Sequence, residues 1–362
     1  MKKPYFEILP NVFQVNIDTV KFSVGNVGVD FADVTKMTIT SAEGELFCTK
    51  TNRKPLPGDF DRHALQMRYT TVENENQGEL FIEGSPFGNR YGQNVFTSGN
   101  LKNACLWTLK RVCELYDIKV APETVEDWNA GIVELHRVDL AVNFKLASED
   151  HVDKALLQLK RLLAAQRVEC HLHDKYASLA PRGGKNYAVT AYGKGAQMRT
   201  LASRSKNDGA LAKLAADCAP ILRIEVRLQR SELKRLELEQ VRAWSPTVAR
   251  AVYRKYFSRL PLDGVTFGPL KSDDFNGVDV RMRPVLAHHK LGTNPKLIYS
   301  DRTRIRHRAY FRKLGIDLNV PNEPIQPVPL KNVLSKRNAV LKTPQWLSDA
   351  GMAPPTKKRG TA

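Results

Sequence analysis

The stretch Leu135-His136-Arg137-Val138-Asp139-Leu140-Ala141-Val142-Asn143-Phe144 decides the fold. Residues two apart along a strand share a face, so His136, Val138, Leu140, Val142 and Phe144 lie on one side and Arg137, Asp139 and Asn143 on the other. Two more segments repeat the division. In Leu222-Arg223-Ile224-Glu225-Val226-Arg227-Leu228 apolar residues alternate with Arg223, Glu225 and Arg227. In Asn186-Tyr187-Ala188-Val189-Thr190-Ala191-Tyr192-Gly193-Lys194 the residues Thr190, Tyr192 and Lys194 point one way. Strands with one apolar and one polar face belong to a sheet that is covered on one side.

Working outward, Val20–Val24, Met37–Thr40, Met67–Val72 and Leu80–Ile82 alternate in the same way and read as strands, separated by turn residues at Lys54–Asp59 and Asn74–Gly78. Leu101, Cys105, Leu109, Val112 and Tyr116 place one apolar stripe on a helix, with Ser98 or Asn100 as its N-cap. Gly131 to Phe144 reads as one strand. Ser148-Glu149-Asp150 opens a helix carrying Val152, Leu156, Leu159 and Leu163. Gly209–Cys218 reads as another helix, and Ser231 to about Tyr256 as helical stretches interrupted at Ser245-Pro246. The pattern predicts an α+β fold, a mainly antiparallel sheet with helices packed on one face. Four parts are expected: a β-rich part with a closing helix (1–125), a site-bearing part (126–260), a basic part (261–330) and a disordered basic tail (331–362). Proline-rich Val320–Pro329 reads as a linker.

The chain has 362 residues, 42% of them hydrophobic, which excludes disorder throughout. No apolar run is long enough to cross a bilayer, and no signal-peptide pattern follows Met1. Five cysteines without a C-x-x-C fit a reducing cytoplasm and suggest neither a disulfide framework nor a zinc site. Charge is more informative: 56 basic against 38 acidic residues leave +18, which calls for a polyanionic partner such as nucleic acid. From Arg281 onward 17 Lys/Arg face 4 Asp/Glu, so +13 of that excess lies in this last part. There Ser300 can cap a helix over Asp301–Leu314 that Gly315 ends. Arg304, Arg308 and Arg312 recur along one face of it, a row able to track a phosphate backbone, while Ile305, Tyr310, Phe311 and Leu314 would dock it.

If the three polar strand faces coincide, Asp139, Glu225, Tyr192 and Lys194 converge. That set suits phosphoryl transfer: the carboxylates can hold Mg²⁺ or Mn²⁺, the phenol can attack, and the lysine supplies positive charge. Charged residues that merely pair across an open sheet face would give the same alternation, and parity alone does not decide. His171-Leu172-His173 offers a rival metal site, with two imidazoles on one side of an extended segment. His136 is expected on the apolar face, and Tyr187 on the face opposite Tyr192; Tyr176, Tyr253 and Tyr256 are further phenols. Pro181–Lys185 is a basic glycine turn, and no Walker A sequence is present to drive unwinding with ATP.

Residues 90–240 resemble the gene II/X replication proteins of filamentous bacteriophages, which are rolling-circle initiation endonucleases. The resemblance is carried by Gly92-Gln93-Asn94-Val95-Phe96, similar to that family's G-H-N-x-F segment, then by Arg137-Val138-Asp139, Ala191-Tyr192-Gly193-Lys194, and Leu222–Arg227 with Leu233-Lys234 behind it. Tyr310–Asp317 resembles the region that such phages also make as a separate X protein. The resemblance implies a phage replication initiator that nicks one strand of a supercoiled double-stranded origin through a 5′-phosphotyrosine on Tyr192, then rejoins the displaced strand. It implies a divalent metal, double- and single-stranded origin DNA as partner, host helicase and polymerase, and the cytoplasm of the bacterial host. Arg137, Arg223 and Arg227 would then lie at the DNA with Arg304, Arg308 and Arg312. Gln93 stands where the family often has His, Asn100 where it often has Asp, and Ala196-Gln197 where a glutamate commonly follows Tyr-x-Lys. Two other classes share these features: a non-catalytic origin-binding or repressor protein, and a plasmid initiator or relaxase using His171 and His173.

Overall fold

The alternating segments form β1 (Asn16–Val27), β2 (Lys36–Thr40), β3 (Leu46–Thr51), β4 (Lys54–Leu56), β5 (Leu65–Val72), β6 (Gly78–Gly84), β7 (Glu134–Lys145), β8 (Cys170–His173), β9 (Tyr176–Leu179), β10 (Tyr187–Gly193) and β11 (Ile221–Gln229). The structure is a computed structural model and describes residues 14–27, 36–40, 46–51, 54–58, 65–72, 78–165, 170–173, 176–179, 186–205, 208–262, 272–290, 298–314, 316, 318, 328–339 and 341–354. Among the described residues the strands make one eleven-stranded sheet, ordered β2-β3-β5-β6-β1-β7-β11-β10-β9-β8, with β4 paired to β5. Its pairings are antiparallel. β1 bonds to β6 on one side and β7 on the other, so hydrogen bonding runs without a break from the first part of the chain into the second. The expected division near residue 125 therefore does not separate two sheets.

Helices α1 (Pro86–Tyr91), α2 (Leu101–Leu115), α3 (Pro122–Ala130), α4 (Glu149–Ala165), α5 (Lys194–Arg204), α6 (Gly209–Asp217), α7 (Arg230–Arg235) and α8 (Pro246–Phe257) belong to the same body. Local chemistry sets their starts. Asn100 accepts from Asn103 N to cap α2, and Ser245 accepts from Val248 N to cap α8, whose first residue is Pro246. The apolar sheet face and α2, α4 and α8 share one core, in which Leu140, Val142, Ile224, Val226, Leu109 and Leu159 are almost fully enclosed. Each such side chain contributes about 1.5–3 kcal/mol relative to exposure. The Phe257 ring of α8 lies 5.8 Å from Phe144 on β7.

Beyond α8 come α9 (Arg283–Lys290), α10 (Asp301–Lys313), α11 (Leu330–Val333) and α12 (Gln345–Asp349). Val285, Leu286 and Phe311 anchor a small cluster of their own between α9 and α10. Ser300 caps α10 as expected, and Phe311, Tyr310 and Leu314 pack as expected, but Ile305, the fourth residue expected to dock the helix, is 60% exposed. Arg304 and Arg308 turn half-inward, Arg304 pairing with Asp301; the exposed basic positions are Arg302, Arg306, Arg312 and Lys313. Over 331–339 and 341–354 the structure departs from the disordered tail expected from 331. Leu330, Leu334 and Ala339 join the main core, and Leu347 and Met352 are buried, because these apolar residues find partners that a basic composition conceals. Gly315, 320–327 of the expected linker, the turn 181–185 and 355–362 lie outside the described residues.

The sequence places one strand over Gly131–Phe144, but Gly131 caps the C-terminus of α3 with φ +81°, so β7 starts only at Glu134. A Cβ at Gly131 would also lie 2.9 Å from Arg242 N. Both features are steric, so Gly131→Ala is expected to lower the unfolding free energy by about 1–3 kcal/mol in urea titration; an unchanged midpoint would show that the turn tolerates a side chain.

Candidate active site

Strand register meets the condition that parity left open. Tyr192 faces Arg223, which faces Asn143; Thr190 faces Glu225, which faces Ala141; and Arg227 faces Asp139. Directly opposed residues of antiparallel strands share a face, so the polar sides of β10, β11 and β7 are one surface. β1 adds to it. Asn16 faces Ala141, and the register then slips between Ile17 and Val20, so that Asp18 and Thr19 sit in a bulge beside Asp139. Bulges re-aim side chains, and this one supplies a third carboxylate.

Arg223 lies at the centre with no exposed surface. Its guanidinium donates to Glu225 Oε1 at 2.8 Å and to the Asn94 carbonyl at 2.7 Å, and pairs with Asp18 Oδ1 at 2.8 Å. The Tyr192 hydroxyl donates to the same Glu225 Oε1 at 2.5 Å. Lys194 is not the last residue of a strand, as the alternation suggests, but the first of α5. It is nevertheless buried, donating to Asn94 Oδ1 at 2.8 Å and to Gln197 Oε1 at 2.5 Å, and its Nζ stands 5.9 Å from the centre of the Tyr192 ring. Gln197 thus occupies, as a neutral acceptor, the region where the resemblance leads one to look for glutamate. Asn94 closes the circle by donating to Asp18 Oδ1 at 2.6 Å.

Burial and charge separate the titrations of these groups. Burial works to raise Asp18, but Arg223 and then Lys194 outweigh it and hold the carboxyl below its ordinary value. Glu225 moves the other way, raised by burial and by the charge on Asp18. Burial and the Arg223 charge bring Lys194 down to about 8, opposed by Asp18 and Glu225. Tyr192 is raised well above a free phenol by burial and the adjacent Glu225.

Asp18, Asp139 and Glu225 each bring a carboxylate oxygen within 4.8 Å of the other two. Hard oxygen donors of this kind fit Mg²⁺ or Mn²⁺. On the same face the side-chain oxygens of Asn16 and Asn143 are buried without a hydrogen-bond partner among the described residues, while both amides donate to the Val95 carbonyl. A second cluster on this sheet face, Glu79, Glu134 and His136, has its His136 on Ser23 and its Glu134 on Arg230.

The remaining expected residues fall in several places. Arg223, expected at the DNA, is corrected: fully enclosed, it serves the carboxylates. Arg137 chelates Asp139 at 2.8 and 2.5 Å and is 20% exposed, whereas Arg227 reaches Asp139 with one bond at 3.2 Å and stays 43% exposed. Strand β8 carries His171 and His173 opposite Ser178 and Tyr176. Their backbone is three strands from β11, about 14 Å from Glu225 at ordinary strand spacing; their side chains, like that of Tyr176, lie outside the described residues. His136 is corrected: β7 carries one extra residue between the pairs Lys21–Arg137 and Phe22–Leu135, and this bulge turns the imidazole to the polar side, 2.7 Å from Ser23 and tilted against the Phe81 ring at 5.3 Å. Tyr253 and Tyr256 are buried under the apolar face. Asp18 was missed because it precedes the strand as read from Val20, although Val15-Asn16-Ile17-Asp18 already alternates.

Removing the Arg223 charge leaves two buried carboxylates facing each other. Arg223→Met is expected to lower stability at neutral pH by about 3–5 kcal/mol. With the guanidinium gone, the native carboxyls rise above their unfolded values and bind more protons in the native state, so the loss should shrink as pH falls through the carboxylate range. Urea titrations across that range test this; a deficit independent of pH would mean that lost packing, not charge, is responsible.

The family of phage gene II replication-associated proteins, by its N-terminal region, matches residues 21–247, more than half of the chain. The gene II replication-associated protein of Enterobacteria phage I2-2 is 24% identical over 269 residues, which cover 72% of this chain and 76% of that protein. With the resembling motifs gathered on one sheet face and the match spanning β7, β10 and β11, the chain belongs to the phage gene II replication-associated protein family.

Proposed function

We propose that the protein initiates rolling-circle replication of a phage genome by nicking one strand of its double-stranded origin, with Tyr192 as nucleophile. The observation that carries this reading is the Tyr192 hydroxyl bonded to Glu225 inside a ring of three carboxylates. Tyr192 Oη would attack the scissile phosphorus while its proton passes along the existing hydrogen bond to Glu225, whose raised pKa makes it the better acceptor. The bond from phosphorus to the 3′ oxygen breaks, and that oxygen takes a proton from water. A 5′-phosphotyrosine and a free 3′-hydroxyl result. The hydroxyl primes a host polymerase, host helicase opens the duplex, and the diester on Tyr192 conserves the bond so that the displaced strand can be rejoined by reversal.

The high pKa of Tyr192 opposes attack, so the reaction needs positive charge at the phosphate. Lys194 lies on the tyrosine side, and Arg227 offers an exposed guanidinium at the rim. Asp18, Asp139 and Glu225 would hold a divalent cation, which when bound supplies further charge to the reacting oxygens. The partners are the phage origin, in duplex and single-stranded form. The compartment is the host cytoplasm; among the described residues no helix is long and apolar enough to cross a membrane.

Incubation with supercoiled origin DNA and Mg²⁺, followed by denaturing electrophoresis, tests the reading. Nicked circles carrying covalent protein are expected from the unmodified chain and none from Tyr192→Phe, with DNA retention equal in both. Asp18→Asn, Asp139→Asn and Glu225→Gln should each reduce metal-dependent nicking far more than binding. Retention without any nick by the unmodified chain would leave a non-catalytic origin binder.

DNA binding has its own test on α10. Changing Arg302, Arg306 and Arg312 together to Gln is expected to lower the slope of log affinity against log salt by roughly two, since each phosphate contact contributes about 0.7–0.9. An unchanged slope in the folded variant would move the DNA contact elsewhere.

A further inference from the structure

Lys194 is held by two acceptors that belong to different pieces of the chain, Asn94 on the segment before α2 and Gln197 on α5. What fixes Asn94 is Gln93. Its side chain is fully enclosed; Oε1 accepts from Val95 N at 2.7 Å and Phe96 N at 2.9 Å, while Nε2 donates to the Phe96 carbonyl at 3.0 Å. The turn so formed aims Asn94 at Lys194 and Asp18 and presents the Asn94 carbonyl to Arg223.

Nε2 of Gln93 also donates to the carbonyl of Met352 at 2.8 Å, across most of the sequence. Leu347 and Met352 are buried with Val95, Phe96 and Met198 of α5 in one cluster. Trp346 donates from its indole to Asp217 at 3.0 Å, and Lys213 stands 4.7 Å over its ring, so α12 also grips α6. The end of α6 abuts the start of α5 closely: a Cβ on Gly195 would lie 2.6 Å from Ala219 Cα. Residues 345–352 therefore touch both supports of Lys194, the Asn94 turn through Gln93 and the α5 start through α6.

We infer that residues 345–352 form a strap that sets the position of Lys194 at the reacting centre, with Gln93 as the positioning residue that transmits it. The role assigned to Lys194 rests on the functional reading above. A strap of this kind makes strand cleavage depend on a segment that touches no reacting atom, and it gives Gln93 a task that neither metal binding nor proton transfer requires. The cost of losing it falls on the chemical step, because a misplacement of about 1 Å is enough to slow a reaction by about 100-fold.

Two variants of the full chain test the strap. Gln93→Met keeps length and volume while removing all of its hydrogen bonds, and Leu347→Asp puts a charge where α12 is buried. Amine labelling read by mass spectrometry reports the exposure of Lys194 without reference to activity; single-turnover nicking at saturating origin DNA and DNA affinity are measured alongside. Both variants should expose Lys194 to labelling and slow nicking by about 10- to 100-fold with affinity unchanged. Val112→Ala, in the core under α2, serves as a control for general loosening and should leave labelling and nicking as they are. Lys194 still protected and nicking undiminished in folded Leu347→Asp would overturn the strap, as would equal effects from Val112→Ala. Should Leu347→Asp fail to fold, Gln93→Met decides by the same readouts. If the unmodified chain does not nick, the functional reading falls, while Lys194 labelling still decides whether the strap holds it.

Discussion

A guanidinium with no access to water must find its compensation inside the protein, and Arg223 finds it in Asp18, Glu225 and the carbonyl of Asn94. Desolvating each of these ions costs several kcal/mol, and the pairing recovers that only when the geometry is close to ideal. The partners come from β1, β11 and the segment before α2. That single requirement ties the first strand of the chain, the strand after α6 and an irregular segment to one point. The central position of β1 in the sheet follows the same logic, since only a strand adjacent to β7 can bring Asp18 beside Asp139.

Alternation made much of this legible. On β7 from Arg137 onward, and on β10 and β11, the polar and apolar sides separate as the residues two apart require, and the register lines up Tyr192, Arg223 and Asn143 without a slip. Where the sequence misleads, a bulge is the cause. One extra residue on each of β1 and β7 breaks the period of two, once to aim Asp18 into the site and once to turn His136 to the polar side of the sheet. A bulge leaves no mark in composition, so parity carried across it assigns the wrong face. Burial is the second blind spot. Nothing in Arg223-Ile224-Glu225 distinguishes an arginine that meets DNA from one that neutralises carboxylates, because that depends on Asn94 and Asp18 arriving from distant parts of the chain.

The same distance hides the role of residues 341–354. They are short, proline-flanked and close to a lysine-rich end, features that read as a tail, yet Leu347 and Met352 complete an apolar cluster begun by Val95 and Ile221. Helices of one or two turns are marginal alone and owe their persistence to such tertiary contacts. Whether such a short stretch folds is thus decided by the surface waiting for it.

Arg223 also has a consequence for the chemistry proposed. By lying between two carboxylates it does not treat them alike: with Lys194 and Asn94 it keeps Asp18 ionised, and the charge that remains on Asp18 helps raise Glu225. Paired carboxylates pushed apart in this way can divide their labour, one a fixed anion and the other a group that takes and returns a proton. A nick that is later resealed at the same tyrosine needs that second behaviour in both directions. In the proposed reaction Glu225 would accept the phenolic proton during cleavage and give it back when the 3′-hydroxyl reclaims the phosphate. A carboxyl of ordinary acidity would hold that proton less well while the tyrosine is esterified. The buried arginine, the low Asp18 and the raised Glu225 are therefore one arrangement, and reversibility is the property it suits.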